Sequence, residues 1–89
     1  MFWVYVLRSL KDGKHYTGYT NDIDRRFQEH NAGRAKSTRR RRPFVLVHLE
    51  EYADEEDAKR REKHLKSGRG REELQSILKT KVIGAVPKW

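Results

Sequence analysis

A chain of 89 residues and 10.7 kDa leaves room for one domain and little for a second core. Charged residues outnumber hydrophobic ones, 38% to 35%, and 21 Lys and Arg against 13 Asp and Glu give a net charge of +8, which favours a polyanionic partner. The lack of cysteine excludes disulfide frameworks, thiolate metal clusters and thiol nucleophiles, and no apolar run approaches the roughly 18 residues of a membrane span.

The first apolar run, Phe2 to Leu7, is rich in aromatic and β-branched residues and reads as a strand. It lacks the length and the basic start of a signal sequence, so a soluble, cytoplasmic protein is expected. Asp12-Gly13 is a tight-turn signal and His15 to Tyr19 resumes strand character, which together predict a β-hairpin. As a two-residue turn, Asp12-Gly13 pairs Tyr5 with Thr20 and Leu7 with Gly18. Tyr5 and Tyr16 then emerge on one face but about 13 Å apart, at roughly 3.3 Å per residue. Gly18 leaves open surface beside them. Bringing the hydroxyls together needs a longer, asymmetric turn.

Thr20-Asn21-Asp22 offers capping side chains, Ile23, Phe27 and His30 follow at helical spacing, and Gly33 can terminate a helix of about ten residues. The polar, basic stretch from Ala32 to Arg42 reads as an exposed loop. Pro43 opens a further strand, Phe44 to Leu49, apolar on both faces and therefore expected at the centre of a sheet. Asp54, Glu55, Glu56 and Asp57 fill the first turn of a helix running to about Lys66, where negative charge meets the positive end of the macrodipole. Ser67-Gly68-Arg69-Gly70 breaks it. A last short helix from about Arg71 carries Leu74, Ile77 and Leu78 on one face. Residues 1–80 are expected to form the domain and 81–89 a tail without clear pattern. The order β-β-α-β-α-α predicts an α+β domain, a small antiparallel or mixed sheet covered by helices.

Three side chains stand where helical spacing directs them inward. Glu62 lies between Ala58 and Leu65 on the apolar side of its helix. A buried carboxylate needs a partner, either a salt bridge to an arginine or a hard cation such as Mg²⁺. Arg26 and His30, four residues apart, flank Ile23 and Phe27, whereas Arg25 points to solvent. A guanidinium held there suits phosphate, or else pairs with Glu62 or a backbone carbonyl. His30 reads by itself as a packed, hydrogen-bonded histidine.

Together these segments resemble the GIY-YIG nucleases, in particular the small stand-alone bacterial members. Trp3-Val4-Tyr5 corresponds to the first motif, with Trp3 where glycine is usual, and Tyr16-Thr17-Gly18 to the second. Thr20 to Asn31 looks like the helix carrying the family's arginine, and Arg61-Glu62-Lys63 like the segment carrying its metal-binding glutamate. The resemblance covers residues 2 to about 78. It implies a three-stranded antiparallel sheet flanked by about three helices. It also implies catalytic roles for Tyr5, Tyr16, Arg26, His30 and Glu62, with Gly18 structural. Glu62 would hold one Mg²⁺ or Mn²⁺, Arg26 would neutralise charge on the phosphoryl group, and Tyr5 would take a proton from water that Tyr16 orients. A phenol with pKa about 10 needs nearby positive charge to act as a base, so an alkaline optimum is expected.

The expected partner is nucleic acid, DNA before RNA, with a protein partner left open and no membrane. Arg34, Lys36, Arg39, Arg40, Arg41 and Arg42 form a basic loop free of acids. Lys59, Lys63 and Lys66 belong to a second basic segment opposed only by Glu62. Such surfaces bind phosphates and release counterions. The competing expectation is a module that binds nucleic acid on the same fold without cutting it.

Overall fold

In β1 (Phe2–Ser9), alternate side chains leave the strand on opposite sides, and both sides are covered. The computed structural model describes residues 1–80, so the expected tail at 81–89 lies outside the described residues. Val4 and Val6 pack against Ala58, Leu65 and Leu74 on one face, while Tyr5 and Leu7 pack with Ile23, Phe44 and Leu46 on the other. Each such fully buried aliphatic side chain contributes about 1.5–3 kcal/mol, so this strand carries both halves of the core.

The remaining elements are β2 (His15–Thr20), α1 (Ile23–Asn31), β3 (Phe44–Tyr52), α2 (Glu55–Lys66) and α3 (Gly68–Thr80), in the predicted order. The sheet is antiparallel with strand order β2-β1-β3. Helix α1 covers one face; α2 and α3 cover the other. The Asp22 carboxylate caps α1 by accepting from the Arg25 amide at 3.1 Å, and Gly33, with φ +78°, follows its end as expected.

The strand Phe44–Tyr52 corrects one expectation, since it is an edge and β1 is central. Val6 pairs with His48 and Leu7 with Leu46, which leaves Val47 as a bulge. The extra residue switches the side-chain phase. Phe44 and Leu46 face α1, Val47 faces α2 and α3, and Leu49 returns to the α1 side. An edge strand whose phase slips halfway shows the same run of apolar residues as a doubly covered one.

Helix α3 begins at Gly68, earlier than the expected Arg71. Ser67 both breaks and restarts the chain. Its hydroxyl donates to the His64 carbonyl at 2.6 Å and accepts from the Gly70 amide at 3.1 Å, an N-cap. Gly70 is buried against the turn, and a side chain there would strike the His64 carbonyl. Arg61 then locks α2 in rotation. Its guanidinium donates to Glu50 of β3 at 2.9 and 3.1 Å and also pairs with Glu73 of α3. Glu50 accepts further from His48 at 2.7 Å and Tyr52 at 2.6 Å.

Candidate active site

The hairpin register decides whether the two phenols meet. Tyr5 lies opposite Gly18 and Leu7 opposite Tyr16, a slip of two residues from the register that a two-residue turn imposes. The cause is Ser9, whose buried hydroxyl accepts from the amides of Lys11 and Asp12 at 3.1 and 3.2 Å and donates to the Arg41 carbonyl. The chain therefore turns over Leu10 to Lys14, closed by Gly13 and Lys14 bonding back to Ser9 at 2.9 Å. A slip of two leaves the faces unchanged and shortens the separation: the rings of Tyr5 and Tyr16 are 6.4 Å apart. Gly18 is filled space rather than open surface, since a Cβ there would lie 2.5 Å from the Tyr5 hydroxyl oxygen. Its missing side chain is where the Tyr5 ring lies.

Helix α1 brings His30 and Arg26 to the same place. His30 is completely buried, its Nε2 3.0 Å from the Tyr5 hydroxyl and its ring 5.0 Å from that of Tyr16. Burial, reinforced by the Arg26 charge, holds its pKa down at about 4, so the ring is neutral near pH 7. Burial pushes the Tyr5 phenol up to about 12, with Arg26 pulling against it and Tyr16 and Glu62 adding to the rise. The expected lowering of this phenol by positive charge is thus outweighed: Tyr5 is a protonated phenol bonded to a neutral imidazole. Arg26 is half-buried beside Tyr5 and paired with Glu29 at 3.1 Å, not with Glu62.

The far side of His30 meets Thr38, 2.7 Å from Nδ1 to Oγ1. Thr38 belongs to the stretch expected to be wholly exposed, yet both it and Ala35 are buried, and Arg39–Arg41 form a 3-10 turn. The sequence marks Thr38 only faintly. The available signal was two small residues, Ala35 and Thr38, spaced three apart within a charged run.

Glu62 comes from α2, which covers the opposite face of the sheet. Its side chain is 22% exposed and bonded to Lys66 at 3.2 Å, a lysine rather than the arginine that the salt-bridge alternative named. Lys66 Nζ lies 5.8 Å from the centre of the Tyr16 ring, and the Glu62 charge acts on Tyr5 to raise its phenol. Among the described residues no three His, Asp or Glu side chains form a metal cage. One accessible carboxylate is the donor set that Mg²⁺ uses when water and substrate phosphate complete its shell.

Arg34, Lys36, Arg39, Arg40, Arg42, Lys59, Lys63 and Lys66 are all exposed. Arg41 is partly buried, pairing with Asp12 at 3.1 Å and lying over the Phe44 ring. Beside Tyr16 opens a cavity of about 690 Å³ lined also by Lys14, Arg41, Lys66, Arg71 and Leu74, among others, but not by Tyr5, His30, Arg26 or Glu62.

A family model described as the GIY-YIG catalytic domain matches residues 1–75. The chain belongs to this family. The chain is similar to a UPF0213 protein of Halobacterium salinarum, 49% identical over 67 residues that cover 74% of this chain and 86% of that one. A UPF0213 protein of Staphylococcus haemolyticus is 41% identical over 76 residues, covering 84% and 92%. Among solved structures, the solution NMR structure of a UPF0213 protein from Bacillus halodurans matches with a TM-score of 0.54 and 42% identity, covering 93% of this chain and 98% of that one. The GIY-YIG family is one of nucleases, which makes nucleic acid the substrate class to test.

Proposed function

We propose that the protein is a metal-dependent endonuclease that hydrolyses phosphodiester bonds in DNA. The observation that carries this reading is the meeting of Tyr5, Tyr16, His30 and Arg26 in one cluster, with the Tyr5 hydroxyl 3.0 Å from His30 Nε2. Such a cluster can pass a proton inward from water, with His30 carrying the charge until the proton returns to solvent by way of Tyr5. As water attacks phosphorus, its proton passes to the Tyr5 oxygen while the Tyr5 proton passes to His30 Nε2. The new phosphorus–oxygen bond forms as the bond to the leaving oxygen breaks, and that oxygen takes a proton from solvent. Arg26 offsets charge gathering on the phosphoryl group. A phosphate beside Arg26 also offsets one of the two causes that hold the His30 pKa down, so substrate strengthens the proton acceptor. Tyr16, with its ring 5.0 Å from that of His30, orients the water. Glu62 would hold the single Mg²⁺ or Mn²⁺, which when bound supplies Lewis-acid stabilisation of the phosphate and leaving oxygens. The exposed arginine loop and Lys59, Lys63 and Lys66 would hold the backbone, with phosphate contacts dominating over base contacts.

One observation favours the second reading, a module that binds nucleic acid without cutting it. The Lys66 ammonium rests on the carboxylate that a metal ion needs. Incubation with plasmid, branched DNA and structured RNA, in Mg²⁺, Mn²⁺ or EDTA, separates the two. Cleavage of DNA that EDTA abolishes is expected. Glu62→Ala should remove it while the domain keeps its fold, because the lost i,i+4 pair is worth only about 0.3–0.5 kcal/mol. Cleavage unchanged in Glu62→Ala refutes the assignment, and binding without cleavage by the wild type supports the second reading.

A further inference from the structure

We infer that Thr38 is a positioning residue, whose hydroxyl fixes the His30 imidazole in the Nδ1–H form and ties the Tyr5–His30 pair to the arginine loop. The catalytic half of this role rests on the nuclease reading above; the choice of tautomer rests on the surrounding donors and acceptors.

A neutral imidazole has one N–H donor and one lone-pair acceptor, and its neighbours decide which nitrogen is which. On the Tyr5 side the adjoining group is Arg26, which can only donate. With a donor-only neighbour on that side, the Tyr5 hydroxyl turns its own proton towards His30 Nε2, 3.0 Å away. That leaves Nδ1 to carry the ring hydrogen. Facing it at 2.7 Å is Thr38 Oγ1, which has the Ala35 carbonyl at 3.5 Å as an outlet for its own proton. The chain Tyr5 O–H to His30, His30 N–H to Thr38, Thr38 O–H to Ala35 satisfies every donor with one polarity. The reverse polarity would set Nε2–H against the Tyr5 oxygen and leave His30 nothing with which to take the Tyr5 proton.

Thr38 is also joined to the cations. It is fully buried, its carbonyl accepts from the Arg41 amide at 2.9 Å, and the Arg39 amide bonds to the Ala35 carbonyl at 3.0 Å. A phosphate drawn to Arg39 or Arg40 thus pulls on the residue that sets the imidazole. Loop and proton acceptor are mechanically one unit.

Nitrogen-detected NMR of the His30 ring in the purified protein tests this without any substrate. The wild type and Thr38→Ser should both show Nδ1–H. Thr38→Val, nearly the same shape but without the hydroxyl, should show Nε2–H, because a buried Nδ1–H would have no acceptor. An Nε2–H ring in the wild type, or an unchanged ring in Thr38→Val, overturns the inference. If Thr38→Val fails to fold, the wild-type and Thr38→Ser spectra decide by the same criterion. On a substrate that the wild type cuts, Thr38→Val should lower kcat by about 100-fold at unchanged KM, with Thr38→Ser restoring it. Unchanged kcat in a folded Thr38→Val overturns the catalytic half. A wild type that cuts no nucleic acid instead sinks the nuclease reading, and the ring spectra still decide the tautomer.

Discussion

Alanine at Gly18 should be costly in a way that ordinary strand chemistry does not predict. In an extended backbone, Gly→Ala normally stabilises by about 0.4–1 kcal/mol, because the unfolded chain loses freedom. Here the new Cβ would sit 2.5 Å from the Tyr5 oxygen and 2.7 Å from Cζ. Carbon contacts need about 3.5 Å, so the ring tip must retreat by about 1 Å, carrying the bond to His30 out of hydrogen-bond range. A buried hydrogen bond left unmade costs about 1–3 kcal/mol and the overpacking a similar amount. Net of the backbone gain, Gly18→Ala should destabilise by about 1–5 kcal/mol, which for a domain of this size lowers Tm by at least about 4 °C. Thermal unfolding followed by circular dichroism reads this directly, and under the nuclease reading cleavage should fall with it. In a Tyr5→Phe background the offending oxygen is gone, and the Gly18→Ala penalty should shrink by about 1 kcal/mol. An unchanged or raised Tm, or strictly additive penalties, would refute the close approach of Tyr5 to Gly18.

Three further outcomes follow from the charges. Burial alone would raise the Glu50 carboxyl, but hydrogen bonds from Arg61, His48 and Tyr52 reverse this and hold it down at about 2. A depressed carboxylate stabilises the fold above its ordinary value of 4.5, and that contribution, about 3 kcal/mol, is lost as pH falls to about 2. Urea unfolding of wild type and Glu50→Gln should converge through that window, and a gap independent of pH would contradict it. His30 works in a different range. Its folded pKa of about 4 lies below the ordinary 6.5, so the unfolded chain takes up a proton that the fold refuses, and stability drops as pH falls between those values. NMR should find the ring neutral at pH 5, whereas a midpoint near 6.5 would contradict its burial. Arg39→Ala combined with Arg40→Ala removes two exposed cations of the loop. The slope of log affinity for labelled duplex DNA against log salt should lessen by up to about 2, as anisotropy would measure, and an unchanged slope would place the phosphates elsewhere.

The residues that were legible in the sequence act over short distances. Asp22 caps the next amides, Gly33 follows the end of α1, and the acidic start of α2 meets its own helix dipole. Each needs only its neighbours in the chain. The shared face of Tyr5 and Tyr16 was also legible, because strand alternation survives any slip by an even number of residues. Placing Arg26 and His30 on the inner side of α1 required only helical spacing.

What tertiary structure alone decided involves groups distant in the chain. Ser9 bonds to the Arg41 carbonyl, and that pairing sets the hairpin register, hence the separation of the phenols. The bulge at Val47 lets one edge strand feed two cores and so mimic a central one. Thr38 left no clear mark in a run of arginines because burial of a lone hydroxyl depends on the histidine that receives it. The amino-acid order by itself determined which elements form and which faces they show, since local hydrogen bonds and alternation do not depend on the rest of the fold. Only the folded chain decided the distances within the site and the resting proton positions, because both depend on which donor meets which acceptor once water is excluded.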